Sequence, residues 1–130
     1  MIGGYAYNLY RNPRATGDID FFVATSDANE QSIRKSLVDF GFGESLPNAT
    51  TPLLVMGKVL MLGRPPFRID ILTKIDGASF EEVEKTCRFI ELDGLRIPVI
   101  SPQMLLRNKE STGRPKDAVD AMELRRMLGT

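Results

Sequence analysis

Apolar and polar positions alternate most cleanly over residues 67–72, where Ile69 and Ile71 fall on one face and Arg68 and Asp70 on the other. That period of two predicts a strand with one buried face. A second strand is predicted over 18–24, because Asp18-Ile19-Asp20 leads directly into Phe21-Phe22-Val23. Side chains two apart on a strand share a face, which groups Asp18 with Asp20 and sends Ile19 and Phe21 to the core. Residues 53–62 are apolar but interrupted at Gly57-Lys58, a pattern that fits either a strand or a hairpin. Residues 88–92 and 95–99 flank Asp93-Gly94, a strong short-range hairpin signal.

Helical spacing appears at Ile33, Leu37, Val38 and Phe40, behind Asp27-Ala28-Asn29-Glu30, which reads as a capping box. Gly41 and Gly43 are expected to end that helix. Ser79-Phe80-Glu81-Glu82 is a second capping box, opening a short helix that contains Val83. Ser101-Pro102 sets an N-cap before a proline at the first helical position and opens a helix through Met104, Leu105 and Leu106. A last helix is predicted over 115–128, after Gly113. At the front, Gly3-Gly4 reads as a turn into a short helix over 5–10 that ends near Asn12-Pro13. The order implies an α+β fold in one domain, 1–130, with a mixed or predominantly antiparallel β-sheet flanked by helices.

Composition changes this picture mainly by exclusion. A length of 130 residues supports one hydrophobic core, and 42% hydrophobic with 26% charged residues is ordinary for a globular protein. Seventeen basic and seventeen acidic residues cancel, so no basic footprint points to bulk binding of duplex nucleic acid. A small polyanion needs only a local cationic cluster. The chain has no histidine, which removes Ser-His and Cys-His catalysis, imidazole-based zinc sites and any histidine general base. The single Cys87 excludes an internal disulfide, fits a reducing cytoplasm and is expected to be a small buried hydrophobe. Met104, Met122 and Met127 are expected to fill the core. No apolar run approaches the roughly 18 residues of a membrane span. Met1-Ile2 before Gly3 shows no signal or transit peptide, so a cytoplasmic location is expected.

The candidate chemistry is carboxylate chemistry. Asp18 and Asp20 project together at the start of an apolar strand, and two carboxylates that close repel unless a cation sits between them. Hard oxygen ligands favour Mg²⁺. Asp70 is the natural third acid, because an aspartate amid Ile69, Ile71 and Leu72 is costly to ionise unless it is metal-bound or paired with Arg68 or Arg14. Gly3-Gly4 at a helix start can present bare N–H groups to a phosphate, although any tight turn also uses glycines. Lys109, Arg114 and Lys116 surround Gly113 and could meet a triphosphate; the alternative is a solvated helix–helix connection with Asp117 complementing the last helix.

Gly3-Gly4, Arg14-x-Thr16-x-Asp18-x-Asp20, the later Asp70 and Lys109…Gly113-Arg114-x-Lys116-Asp117…Asp120 together resemble the polymerase-β-type nucleotidyltransferase superfamily. The likeness spans nearly the whole chain and is strongest to the small bacterial branch of minimal and toxin–antitoxin-type members. It implies a nucleotidyltransferase-like sheet in which Asp18, Asp20 and Asp70 are catalytic and ligate two Mg²⁺ ions. Gly3, Gly4, Arg14, Thr16, Lys109 and Arg114 would hold a nucleoside triphosphate such as ATP. The glycine turn would take its β- and γ-phosphates. A nucleoside monophosphate would pass to an acceptor hydroxyl on a small molecule such as an aminoglycoside, a tRNA end or a protein partner. Members of this superfamily often carry Gly-Ser where this chain has Gly3-Gly4, and usually have a helix and a strand before the pair. The resemblance therefore implies an N-terminally shortened form with an exposed sheet edge, and hence a homo-oligomer. A different class of function is a non-catalytic, antitoxin-like partner-binding protein that retains the fold.

Overall fold

Alternation in the two best-patterned segments divides the molecule into two apolar layers. A computed structural model of the chain describes residues 1–11 and 13–130. Its elements in order are α1 (Gly3–Tyr10), β1 (Asp18–Phe22), α2 (Asp27–Leu37), β2 (Val59–Leu62), β3 (Arg68–Leu72), α3 (Phe80–Thr86), β4 (Arg88–Leu92), β5 (Leu95–Val99), α4 (Pro102–Ser111) and α5 (Pro115–Leu128). The fold is α+β. Its central sheet is mixed, in the order β1-β3-β2, with β1 parallel and β2 antiparallel to β3. Strands β4 and β5 form a separate hairpin, whose Asp93 and Gly94 both adopt the positive φ of a tight turn.

One face of the central sheet presents Ile69, Ile71, Leu60 and Leu62, which pack with Leu37 and Leu53. Helix α2 lies in the long crossover between β1 and β3, as a parallel pair requires. The opposite face changes character along the strands. Its first half carries Asp18, Asp20, Arg68 and Asp70. Its second half carries Phe22 and Leu72, which join the main core of Ala6, Tyr7, Val99, Ile100, Leu105 and Leu124. Polar residues on that face therefore line a cleft while their apolar neighbours seal the core beside it.

Several local expectations shift. The N-cap of α2 is Ser26, whose Oγ accepts from the Asn29 N–H at 3.2 Å. Glu30 leaves the expected capping box because its carboxylate accepts from the Leu53 and Leu54 N–H groups, 2.9 and 2.6 Å away. Those irregular-loop donors need a partner, and satisfying them outranks a local cap. Only the last part of 53–62 is a strand, since Gly57, at φ 84°, forms a turn with the Lys58 N–H donating to the Val55 carbonyl. Helix α2 runs into a π-turn over Val38–Phe42 and breaks at Gly41, at φ 107°. Ile19 and Phe21 remain half-buried, while Phe22 enters the core from the carboxylate face. Cys87 is half-buried, and Met122 is exposed, whereas Met104 and Met127 pack on the core. Helix α1 stops at Tyr10; Asn12, part of the expected stop, lies outside the described residues. Among the described residues no helix is long and apolar enough to cross a membrane.

The start of the chain is tied into this frame. The Ile2 N–H donates to the Asp20 carbonyl at 2.9 Å, bridging the outer edge of β1, and the Ile100 N–H donates to the Met1 carbonyl at 3.0 Å. Leu105 is fully buried at the junction of α4 with the main core, whereas Phe67 is 83% exposed. In urea denaturation, Leu105→Ala is expected to lose about 2–5 kcal/mol and Phe67→Ala to stay within about 0.5 kcal/mol of the parent.

Candidate metal centre

The parallel register sets Asp18 opposite Arg68 and Asp20 opposite Asp70. Because all four point to one face, three carboxylates and one guanidinium meet at the head of two adjacent strands. One oxygen from each of Asp18, Asp20 and Asp70 lies within 4.8 Å of the others, a spacing at which a cation could be shared. Asp70 is buried and the other two are half-buried.

Two different positive groups relieve the repulsion. Arg68 grips both oxygens of Asp70, with Nε 2.8 Å from Oδ1 and Nη2 2.9 Å from Oδ2, and Nη2 also reaches Asp18 at 3.1 Å. The expected alternatives for Asp70, a pairing with Arg68 or a place in a metal cluster, thus coexist in one geometry. The second group is a proton. Burial, the hydrogen bond with Asp18 and the negative charges of Asp18 and Asp70 push Asp20 up to about 7. Burial also acts to raise Asp18, but hydrogen bonding within the carboxyl trio and the Arg68 charge outweigh it, leaving Asp18 below the usual carboxylate range. The trio is a set of hard oxygen donors with less positive charge around it than it can use.

Gly3 and Gly4 are needed for this packing. Gly3 has φ 69°, and a Cβ there would lie 2.0 Å from Asp20 Oδ2. At Gly4 a Cβ would lie 2.8 Å from Thr16 Oγ1, whose hydroxyl donates to the Asp18 carbonyl at 3.2 Å. Any side chain at Gly3 would drive α1 away from the carboxylates.

A cleft of about 610 Å³ contains every residue expected at the site: Gly3, Gly4, Arg14, Thr16, Asp18, Asp20, Asp70, Lys109 and Arg114 all line it. Their states differ from one another. Lys109 is buried, and its ammonium lies 2.9 Å from Asp117 Oδ1 and 3.1 Å from Asp120 Oδ2. Arg14 donates to Asp120 at 2.6 Å and stacks over the Tyr7 ring, 5.1 Å from its centroid; it does not pair with Asp70. Arg114 donates through Nε to Asp117 at 2.7 Å, yet 72% of its side chain is exposed. Asp117 also accepts from the Thr112 hydroxyl at 2.6 Å. Burial would raise Asp117, but its bonds from Thr112 and Lys109 hold it below the usual range. Lys109 is therefore part of a buried ion network under the cleft wall, neither solvated nor free to meet a phosphate. Lys74, Asn108 and Thr112 also line the cleft. Sequence reasoning passed them over, and for Lys74 its place just past the Asp70 strand was the available signal.

Two tests follow from these charges. Folded Asp20 holds its proton more tightly than an unfolded aspartate of ordinary value 3.8, so its contribution to stability is full below that value and is lost as the pH rises through about 7. A bound divalent ion reverses this trend. Thermal shifts with Mg²⁺ or Mn²⁺ should report affinity about tenfold higher at pH 8 than at pH 6. Asp20→Asn should abolish the metal-dependent shift while leaving the metal-free protein at least as stable at pH 8. By contrast, Lys109→Met leaves buried Asp117 and Asp120 undercompensated and should cost about 3–5 kcal/mol in urea denaturation. No protein-family model matches this chain, and no curated protein matches it significantly.

Proposed function

We propose that the chain is a Mg²⁺-dependent nucleotidyltransferase of the polymerase-β type, moving a nucleoside monophosphate from a nucleoside triphosphate to an acceptor hydroxyl. The observation that carries this reading is the cluster of Asp18, Asp20 and Asp70 within 4.8 Å, in the same cleft as the Gly3-Gly4 turn. The donor set fits the group: three hard carboxylates, one still protonated near neutral pH, beside a glycine backbone that a Cβ would obstruct. Two Mg²⁺ ions between these acids would supply charge neutralisation at the triphosphate and activation of the acceptor hydroxyl.

The chain's own residues have separable tasks in that reaction. The first N–H groups of α1 have no side-chain cap, and they open beside Asp20, where phosphate oxygens can accept from them. The acceptor oxygen bonds to the α-phosphorus, the P–O bond to the β-phosphate breaks, and pyrophosphate leaves. Asp70 receives the hydroxyl proton, and its orientation is held by the bidentate clasp of Arg68. A carboxylate can serve as this base, so the lack of histidine is no obstacle.

Incubation with α-labelled nucleoside triphosphates, Mg²⁺ and candidate acceptors tests the reading. Label transfer with release of pyrophosphate is expected, and Asp18→Asn combined with Asp20→Asn should reduce it by at least about a hundredfold. Wild type and double variant binding Mg·ATP alike would instead favour a partner-binding protein that keeps only the fold.

A further inference from the structure

Among the described residues, the strand edges of this molecule are guarded except at β2. The outer edge of β1 is bridged by the Ile2 N–H, which donates to the Asp20 carbonyl at 2.9 Å. The outer edge of β5 meets Met1, whose ammonium donates to the Pro98 carbonyl at 2.8 Å and whose carbonyl accepts from the Ile100 N–H at 3.0 Å. Strand β4 carries the exposed charges of Arg88 and Glu91. Lysine, proline, charge and bulges are the usual protections of a strand edge. Strand β2 has none of them: it reads Val59-Leu60-Met61-Leu62, its register with β3 is unbroken, and Lys58 lies just outside it. It is the last strand of the central sheet, and among the described residues no backbone group pairs with its far side.

The strand is apolar on both faces. Leu60 and Leu62 pack with the second core, while Val59 and Met61, opposite Leu72 and Asp70, line the cleft and are 44% and 58% exposed. They form its flank away from the glycine turn, because β1 and β2 lie on opposite sides of β3. A strand added here must be apolar on both faces and free of charge at the paired positions, and β2 itself meets that demand. In an antiparallel pair about a two-fold axis normal to the sheet, one residue meets its own copy and its neighbours exchange partners. An axis at Leu60 sets Val59 opposite Met61 of the second copy and Lys58 opposite Leu62, so no like charges meet. An axis at Met61 would instead bring Val59 against Gly63, which leaves the strand at φ 83°.

We infer that β2 is a dimerisation edge: two copies of the chain pair antiparallel about Leu60 and join their sheets in the order β1-β3-β2-β2-β3-β1. Directly opposite side chains share a face, so Val59 and Met61 of the second copy extend the apolar flank of the cleft beyond Asp70. Each cleft is thereby completed by its neighbour. The pairing is independent of the reaction at the carboxylates. It also moves the expected contact between copies from the β1 edge, which Ile2 bridges, to the opposite edge of the sheet. A short strand pair buries little area, so the association is weak and reversible.

Sedimentation equilibrium between about 5 and 300 µM tests this, and reversible dimers with a dissociation constant of about 10–100 µM are expected. Val59→Glu and Met61→Lys should each weaken self-association at least about tenfold. An equimolar mixture of the two variants sets the introduced carboxylate of one chain opposite the introduced ammonium of the other. It should restore association to within about threefold of wild type. Leu95→Lys, at the exposed tip of the β4–β5 hairpin, should leave the dimer unchanged. Amide exchange of the wild type gives a reading that depends on no variant: residues 59–62 should be protected at high concentration and exchange faster on dilution. The inference is overturned if the wild type stays monomeric throughout, if Leu95→Lys weakens association as much as the β2 variants, or if the mixture associates no better than its components.

Discussion

Carboxylates on neighbouring parallel strands cannot all ionise within 4.8 Å of one another without positive charge between them, and much of this molecule follows from that constraint. The register that puts Asp20 beside Asp70 also puts Arg68 beside Asp18, so one guanidinium can reach two of the three acids. It reaches no further: Asp20 meets the remaining charge by keeping a proton up to about pH 7. Gly3 allows the backbone of α1 to approach the same carboxylate, which removes water from one side and strengthens the repulsion. A divalent ion could take the place of that proton, which is what makes the trio a candidate metal site.

The second acidic pair in the protein shows what a fully compensated arrangement looks like. Asp117 and Asp120 are more deeply buried than Asp18 or Asp20, yet they are met by Lys109, Arg14 and Arg114, with Thr112 adding a hydrogen bond. Three cations face two carboxylates there, and Asp117 is held ionised. Only one cation faces the three carboxylates on the strands. Burial alone would have ranked the helical pair as the more unusual site. The balance of charge reverses that ranking, because structural ion networks satisfy their members and ligand sites leave something to be completed.

How much of this was legible in the sequence depended on the range of the interaction. The alternation at Ile69, Asp70 and Ile71, the Asp93-Gly94 hairpin, and the caps at Ser79 and Ser101 act within a few residues, and each is found where the pattern put it. Glu30 shows the opposite case. Its spacing fits a capping box, but two N–H groups more than twenty residues away take its carboxylate. Lys109 lines the cleft as expected, but its pairing was not legible: Asp117 and Asp120 lie close in sequence, and only the packing of α4 on α5 shows that both point at its ammonium. The grouping of Asp18, Asp20 and Asp70 was legible because strand periodicity constrains direction even before pairing is known. Which side chain would neutralise them was not, since Arg68 and Arg14 were equally available and only the β1–β3 register separates them.

The same register also explains why the site lies at the head of the strands. On the face carrying the acids, the next positions along β1 and β3 are Phe22 and Leu72, both packed into the main core. One step further into the chain, a carboxylate would be surrounded by Val99, Ile100 and Leu105 with neither a glycine turn nor a guanidinium near it, and ionisation there would be prohibitively costly. One step nearer the strand start, Asp18 and Arg68 still line the cleft but are more exposed than Asp70. Asp20 and Asp70 occupy the boundary between these regimes. There the carboxylates are partly desolvated and still line the cleft, an arrangement that a divalent cation could use. The bridge from Ile2 to the Asp20 carbonyl and the bond from the Met1 ammonium to the Pro98 carbonyl tie that boundary to the hairpin, so the position of the carboxylates is set by the packing of the main core as well as by the sheet.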